Sequence, residues 1–130
     1  MNSKIIIGTM SGTSLDGLDL CAVSFNNNNS YRVLATKTII YSSDFKERLA
    51  LAHTLSGLEL SQLHVDFGVF CGEHIKNFIL ENSLSIDYVA SHGHTVFHTP
   101  NTGLTLQIGS GAHIAAITGI TTINDFRILD

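Results

Sequence analysis

A β-branched run, Ile5-Ile6-Ile7, leads straight into the stretch GTMSGTSLDGLD, Gly8–Asp19, and this junction constrains the fold more than any other part of the chain. The stretch holds three glycines, two threonines, two serines and two aspartates, with no lysine or arginine. A P-loop requires GxxxxGK[ST], whose lysine reaches the phosphates; Gly12–Gly17 has none. A dinucleotide fingerprint requires GxGxxG opening a helix. Here Leu18, Leu20, Ala22 and Ser24 alternate with Asp19, Cys21, Val23 and Phe25, which predicts a strand over Gly17–Phe25. What remains is a hairpin turn, Gly12–Asp16, between the strands Lys4–Met10 and Gly17–Phe25. Its glycines let backbone N–H groups face a ligand, and Thr9, Ser11, Thr13 and Ser14 add hydroxyl donors, so the turn can cradle an anion. Asp16 and Asp19 then call for a divalent cation, or serve as turn-makers. A merely polar hairpin fits the same composition.

The rest of the pattern extends the hairpin into a mixed fold. Asn26–Ser30 predicts a turn and Tyr31–Tyr41 a third strand, giving an antiparallel meander. Ser42-Ser43-Asp44 supplies helix N-cap candidates, and Gly57 is expected to stop that helix. A longer helix is expected over Glu59–Asn82, with Leu60, Leu63, Phe67, Cys71, Ile75 and Phe78 on one apolar stripe. Gly68 and Gly72 on it would allow close approach to a sheet. Strands follow at Asp87–Ser91, expected parallel to the first, and at Leu104–Ile108; then a short helix at Gly111–Thr118, with Gly119 as its cap, and a strand at Ile120–Ile123. Three meander strands followed by alternating helices and strands describe an α/β, ribonuclease-H-like lobe over residues 1–130, a mixed sheet with helices on both faces.

Composition narrows the partners. The chain has 130 residues, 44% hydrophobic and 14% charged, with a formal net charge of −4 and no basic run. Nucleic acid is therefore not expected as a partner. Cys21 and Cys71 have no zinc spacing and read as buried free thiols in a reducing compartment. The start, Met1-Asn2-Ser3-Lys4, leads into too few apolar residues for a signal peptide, and nothing approaches the roughly 20 apolar residues of a membrane span. A cytoplasmic location is expected.

Four blocks resemble one family. GTMSGTSLDGLD is similar to the N-terminal signature of the anhydro-N-acetylmuramic acid kinases, members of the sugar kinase/actin/heat-shock-protein ATPase superfamily. ASHGHTVFHTP at Ala90–Pro100, TLQIGSGAHIA at Thr105–Ala115 and TGITTINDFR at Thr118–Arg127 resemble later segments of that family, in the same order. The resemblance implies a kinase that opens the 1,6-anhydro ring of anhydro-N-acetylmuramic acid with water and phosphorylates O6 from ATP with Mg²⁺, in cell-wall recycling. It makes Gly12, Thr13, Ser14, Leu15, Asp16, Gly17, Leu18 and Asp19 the ATP-phosphate loop. It makes Ser11, His92, Gln107, Asp125 and Arg127 candidates for the sugar.

Each candidate keeps an ordinary alternative. His92, His94 and His98 form H-x-H-x-x-x-H, and two histidines at i and i+2 on a strand share a face, so a zinc site has to be weighed. The family's usual glutamine is replaced by His94, so the trio is not a family feature and no metal ligand set is assigned. His92, with His94, can donate to sugar hydroxyls or to the lactyl carboxylate, or these can be ordinary loop histidines. Gln107 is a substrate contact or a strand-end hydrogen bond. Arg127 takes the lactyl carboxylate bidentately, or pairs internally with Asp125. His53, His64, His74 and His113 read as surface or core helix residues.

The resembled enzymes are two-lobed and more than twice this long. Their general base, an aspartate, and their adenosine pocket are expected beyond Asp130, in a second lobe. The chain is therefore expected to be an N-terminal lobe without kinase turnover of its own, with an apolar face that makes it self-associate, a homodimer being one form. A non-catalytic sugar- or nucleotide-binding module is the alternative. A different kinase of the same superfamily fits the histidine and TLQIG blocks less well.

Overall fold

The computed structural model describes residues 3–129; Met1, Asn2 and Asp130 lie outside the described residues. The meander forms as the alternation predicts: β1 is Lys4–Ser11, β2 Gly17–Phe25 and β3 Tyr31–Ile40, each antiparallel to the next. Helix α1 spans Ser43–Ala50, α2 Gly57–Glu81 and α3 Gly111–Thr118. The later strands are β4, Tyr88–Thr99, β5, Leu104–Ile108, and β6, Thr122–Ile123. The sheet runs β3-β2-β1-β4-β5, with β6 also on β4. β4 and β1 are parallel, as expected, and so are β4 and β6; β5 is antiparallel to β4. This is a mixed α/β fold.

The core lies on one face of the sheet. Ile7, Leu18, Leu20, Ala22 and Val89 from the strands meet Leu49 of α1, the α2 stripe and Ile114 of α3 in one cluster. The α2 stripe is buried at Leu63, Phe67, Cys71, Ile75 and Phe78 and half-buried at Leu60. Residues that alternate with the buried ones on β1 and β2, such as Met10 and Asp19, are exposed. Helices on both faces were expected; among the described residues all three helices feed the single core.

The last strand is shorter than expected, Thr122–Ile123 instead of Ile120–Ile123, and most other ends shift by one or two residues; three larger differences have local reasons. Gly57 begins α2 instead of ending α1: Ser56 caps the Glu59 N–H and the Glu59 carboxylate accepts from the Ser56 N–H, a reciprocal capping box. α1 stops at Ala50, capped at its start by Ser42 and followed by a short 3-10 turn, Ala52–Thr54. β4 does not end at Ser91 but runs to Thr99, because a bulge at Gly93 absorbs the irregularity. Gly93 has φ +78°, and a Cβ there would stand 2.6 Å from the Ile108 carbonyl oxygen, so only glycine lets the strand continue. Gly68 and Gly72 do allow a close approach, but to the turn before α3 and to α3 itself, at Ser110, Ile114 and Ile117, and not to the sheet.

Candidate functional site

The turn between β1 and β2 is small and open. The Leu15 N–H donates to the Gly12 carbonyl at 3.1 Å, and Leu15 follows in the left-handed region at φ 59° with its side chain against the core. Thr13, Ser14 and Asp16 are exposed. At Gly12 the nearest neighbour of a notional Cβ is the Ser14 hydroxyl, 3.6 Å away. The turn's far end is different. Gly17 is buried beneath the Ile39 carbonyl with no room for a side chain, and Leu18 is a core residue, so either could meet a ligand only through its backbone. Asp19 points away from the core and accepts from the Thr38 hydroxyl at 2.6 Å. Of the eight residues in the loop expectation, Gly12–Asp16 form the open turn, and Asp19 is exposed beyond it with its carboxylate on Thr38.

The parallel pairing of β1 with β4 brings the second block beside this turn. After the bulge, Ser11 is in register with His94. The Ser11 hydroxyl is 2.8 Å from His94 Nδ1 and accepts from the Tyr41 hydroxyl at 2.5 Å. Ser11 and His94 are only 2% and 4% exposed. Burial holds the His94 pKa below the ordinary histidine value, and His92 nearby lowers it further. Burial pushes Tyr41 up to about 12, against the opposing effect of its bond to Ser11. The Ser11 candidate thus has its hydroxyl engaged inside the protein.

The histidines of H-x-H part company at the bulge. His94 packs against Phe67 of α2. His92 packs against Phe126, and its Nε2 is 3.2 Å from an Arg127 guanidinium nitrogen. Arginine can only donate, so His92 Nε2 accepts and Nδ1 carries the proton toward the Gly93 carbonyl, 3.0 Å away. His98 lies farther along β4, with Nδ1 3.2 Å from the Thr105 hydroxyl. The three imidazoles thus have three separate sets of neighbours.

Gln107 on β5 is the most informative of the sugar candidates. Its Nε2 donates to Thr95 at 3.2 Å and to Thr105 at 2.8 Å. Its Oε1 is buried with no hydrogen-bond partner among the described residues. An unmet buried acceptor costs about 1–3 kcal/mol, which a ligand hydroxyl or amide N–H would relieve. Its two threonines line different openings. Thr105 borders a cleft with His98, Leu104 and Arg127; Thr95 borders a smaller cavity with Thr13, His53 and His94. Asp125 is exposed at φ 56°. Ion pairs are formed by Lys37 with Glu81 and by Arg48 with Asp66.

The residues missed by sequence reasoning are Tyr41, Thr95, Thr105 and Phe126. Thr95, Thr105 and Phe126 sit inside the matched blocks and could have been flagged. Tyr41 carried no signal, because only the β1–β2–β3 pairing brings the end of β3 over Ser11. Cys71 is buried and Cys21 half-buried, both free thiols. No helix among the described residues is long and apolar enough to cross a membrane.

Comparison with known proteins agrees with the ordered blocks. The family model described as anhydro-N-acetylmuramic acid kinase matches residues 4–130. An anhydro-N-acetylmuramic acid kinase of Pseudoalteromonas translucida is 42% identical over 143 residues, covering 96% of this chain and 35% of the relative. Relatives of the same name from Actinobacillus pleuropneumoniae and Hydrogenovibrio crunogenus are 39% and 40% identical, covering 100% and 98% of this chain. The chain spans about a third of the length of the curated relatives it matches (35–37%). With a family match across nearly its whole length, the chain belongs to the anhydro-N-acetylmuramic acid kinase family.

Proposed function

We propose that this chain is the N-terminal, ribonuclease-H-like lobe of an ATP-dependent kinase that converts 1,6-anhydro-N-acetylmuramic acid to N-acetylmuramic acid 6-phosphate. The observation that carries the reading is the β1–β4 register. It sets Ser11, the β1 residue that leads into the glycine turn, against His94 in the histidine block, 83 residues away in sequence. A phosphate loop and a sugar segment have to meet in this way for phosphoryl transfer, which depends on positioning and charge neutralisation.

The residues present fit a magnesium nucleotide. The accessible turn offers hydroxyls at Thr13 and Ser14, a carboxylate at Asp16 and an unobstructed backbone at Gly12. It contains no lysine or arginine, so hard oxygen donors and a divalent cation suit it better than a bare phosphate. Mg²⁺–ATP, when bound, supplies the phosphoryl group and screens its charge. The chain's own residues orient: the turn holds phosphate oxygens, Gln107 Oε1 accepts from a sugar hydroxyl or acetamido N–H, and Arg127, steadied by His92, faces a carboxylate. In this reading the general base and the adenosine pocket are supplied from outside residues 1–130, and residues 1–130 by themselves are expected to phosphorylate no sugar.

The test is a titration of the chain with Mg²⁺–ATP and, separately, with the anhydro-sugar, followed by amide resonances. The expected outcome is nucleotide shifts confined to residues 12–16 and sugar shifts at Gln107 and Arg127. Sugar shifts without nucleotide shifts would favour a sugar-binding module; phosphorylated sugar formed by this chain alone would overturn the assignment of the base elsewhere.

A further inference from the structure

We propose that His94 is a positioning residue: it ends a buried relay, Tyr41 to Ser11 to His94, that fixes the root of the 12–16 turn. The inference rests on the reading of that turn as a ligand loop.

One direction of the relay gives every proton in it an acceptor. Tyr41 donates to the Ser11 hydroxyl, and in this direction the one Ser11 proton goes to His94 Nδ1. His94 is then neutral with its proton on Nε2. Ser11 is the last residue of β1, and Gly12, next in the chain, accepts from Leu15 to close the turn. The hydroxyl that anchors the turn is thereby held from two elements, the residue after β3 and the bulge of β4. With the proton on Nδ1 instead, His94 would donate to the Ser11 hydroxyl, whose other lone pair still accepts from Tyr41, and the Ser11 proton would lose this acceptor. The titratable groups facing the relay are His92 across the bulge, His53 across the small cavity, and Asp19 and Cys71 near Tyr41. A glutamine at this position would offer an acceptor that does not titrate.

The experiment uses the 130-residue chain without nucleotide. Nitrogen-15 spectra of the imidazole report its tautomer, and amide exchange reports the Leu15 N–H against the β1–β2 ladder around Ile7 and Ala22. Expected are an unprotonated Nδ1 at neutral pH and, in His94→Leu, Leu15 exchange faster by about tenfold with the ladder unchanged, the effect of one lost buried hydrogen bond. His94→Gln should keep Leu15 within about threefold of the parent, since it retains an acceptor. A proton on Nδ1, an unchanged Leu15, or a uniform rise across loop and ladder would overturn the proposal. If His94→Leu does not fold, the tautomer and the glutamine variant decide. A separate titration with Mg²⁺–ATP keeps the two readings apart: a loop that ignores nucleotide sinks the ligand reading and leaves the relay standing.

Discussion

The chain contains two glycine–serine turns, each following a strand of the same sheet, and they are built in opposite ways. The Gly109-Ser110-Gly111 turn after β5 is packed. Its Gly109 N–H donates to His64 Nδ1 and its Ser110 N–H to the His64 carbonyl, while the Ser110 hydroxyl caps α3. The Gly12–Asp16 turn after β1 has one internal backbone bond and exposed hydroxyls. The two share residue types and differ in what their backbone already does. A turn whose amides are committed to its neighbours is structural; one that is anchored only at its root stays available to a ligand. Both lie against an imidazole, His64 in one case and His94 in the other.

The contrast is broken most severely by filling the space under the packed turn. In Gly68→Ala the new Cβ would lie 2.7 Å from both the N and O of Ser110, backbone atoms that cannot swing aside. A loss of about 2–3 kcal/mol in urea unfolding is expected. His64→Leu should cost about 1–3 kcal/mol, because it leaves the Gly109 N–H without its acceptor. Acid should act on both turns. Burial lowers the pKa of His64, with His113 adding to the effect and Asp125 opposing it, and burial lowers that of His94. A histidine depressed in the folded state stabilises it above the ordinary histidine value, and that stability is lost as pH falls through the folded pKa. The urea midpoint should therefore drop on acidification from neutrality, and less in His94→Gln. Tyr41 has the opposite sign: raised from 10.0 to about 12, it costs stability as pH climbs through that window.

The open turn should tolerate what the packed one does not. Gly12→Ala should change stability by no more than about 0.5 kcal/mol, since the nearest atom is a mobile hydroxyl at 3.6 Å, while weakening nucleotide shifts at residues 12–16. Smallest of all is Asp66→Asn. The Arg48–Asp66 pair is surface-exposed on both sides, so about 0–0.5 kcal/mol is expected, measured by the same unfolding curve at low and high salt.

How far the sequence reached follows from the range of the interactions. The meander was legible because alternation in Gly17–Phe25 and the asparagine turn are local signals. The α2 stripe was legible for the same reason. The start of α2 could have been read, since Ser56 and Glu59 are three apart, but Gly57 between them resembles a stop. The extension of β4 could not: Gly93 interrupts the pattern, and only the nearness of Ile108 explains why glycine is there. The candidate site divides in the same way. Thr13, Ser14 and Asp16 are exposed in a turn that was foreseen. Ser11 and Asp19 have internal partners, His94 and Tyr41 for one and Thr38 for the other, that no local pattern announces.

The β1–β4 pairing also sets an order for folding. The meander's strands are neighbours in sequence and can pair early, whereas Thr9 and Ser91, which share a hydrogen bond, are 82 residues apart. Until β4 arrives, the edge of β1 beside Ile6 and Ile7 stays open to any strand that reaches it. During synthesis that interval lasts through the whole of α2. The bulge and its relay close only when β4 docks, so the turn acquires its final shape at the step that seals the sheet.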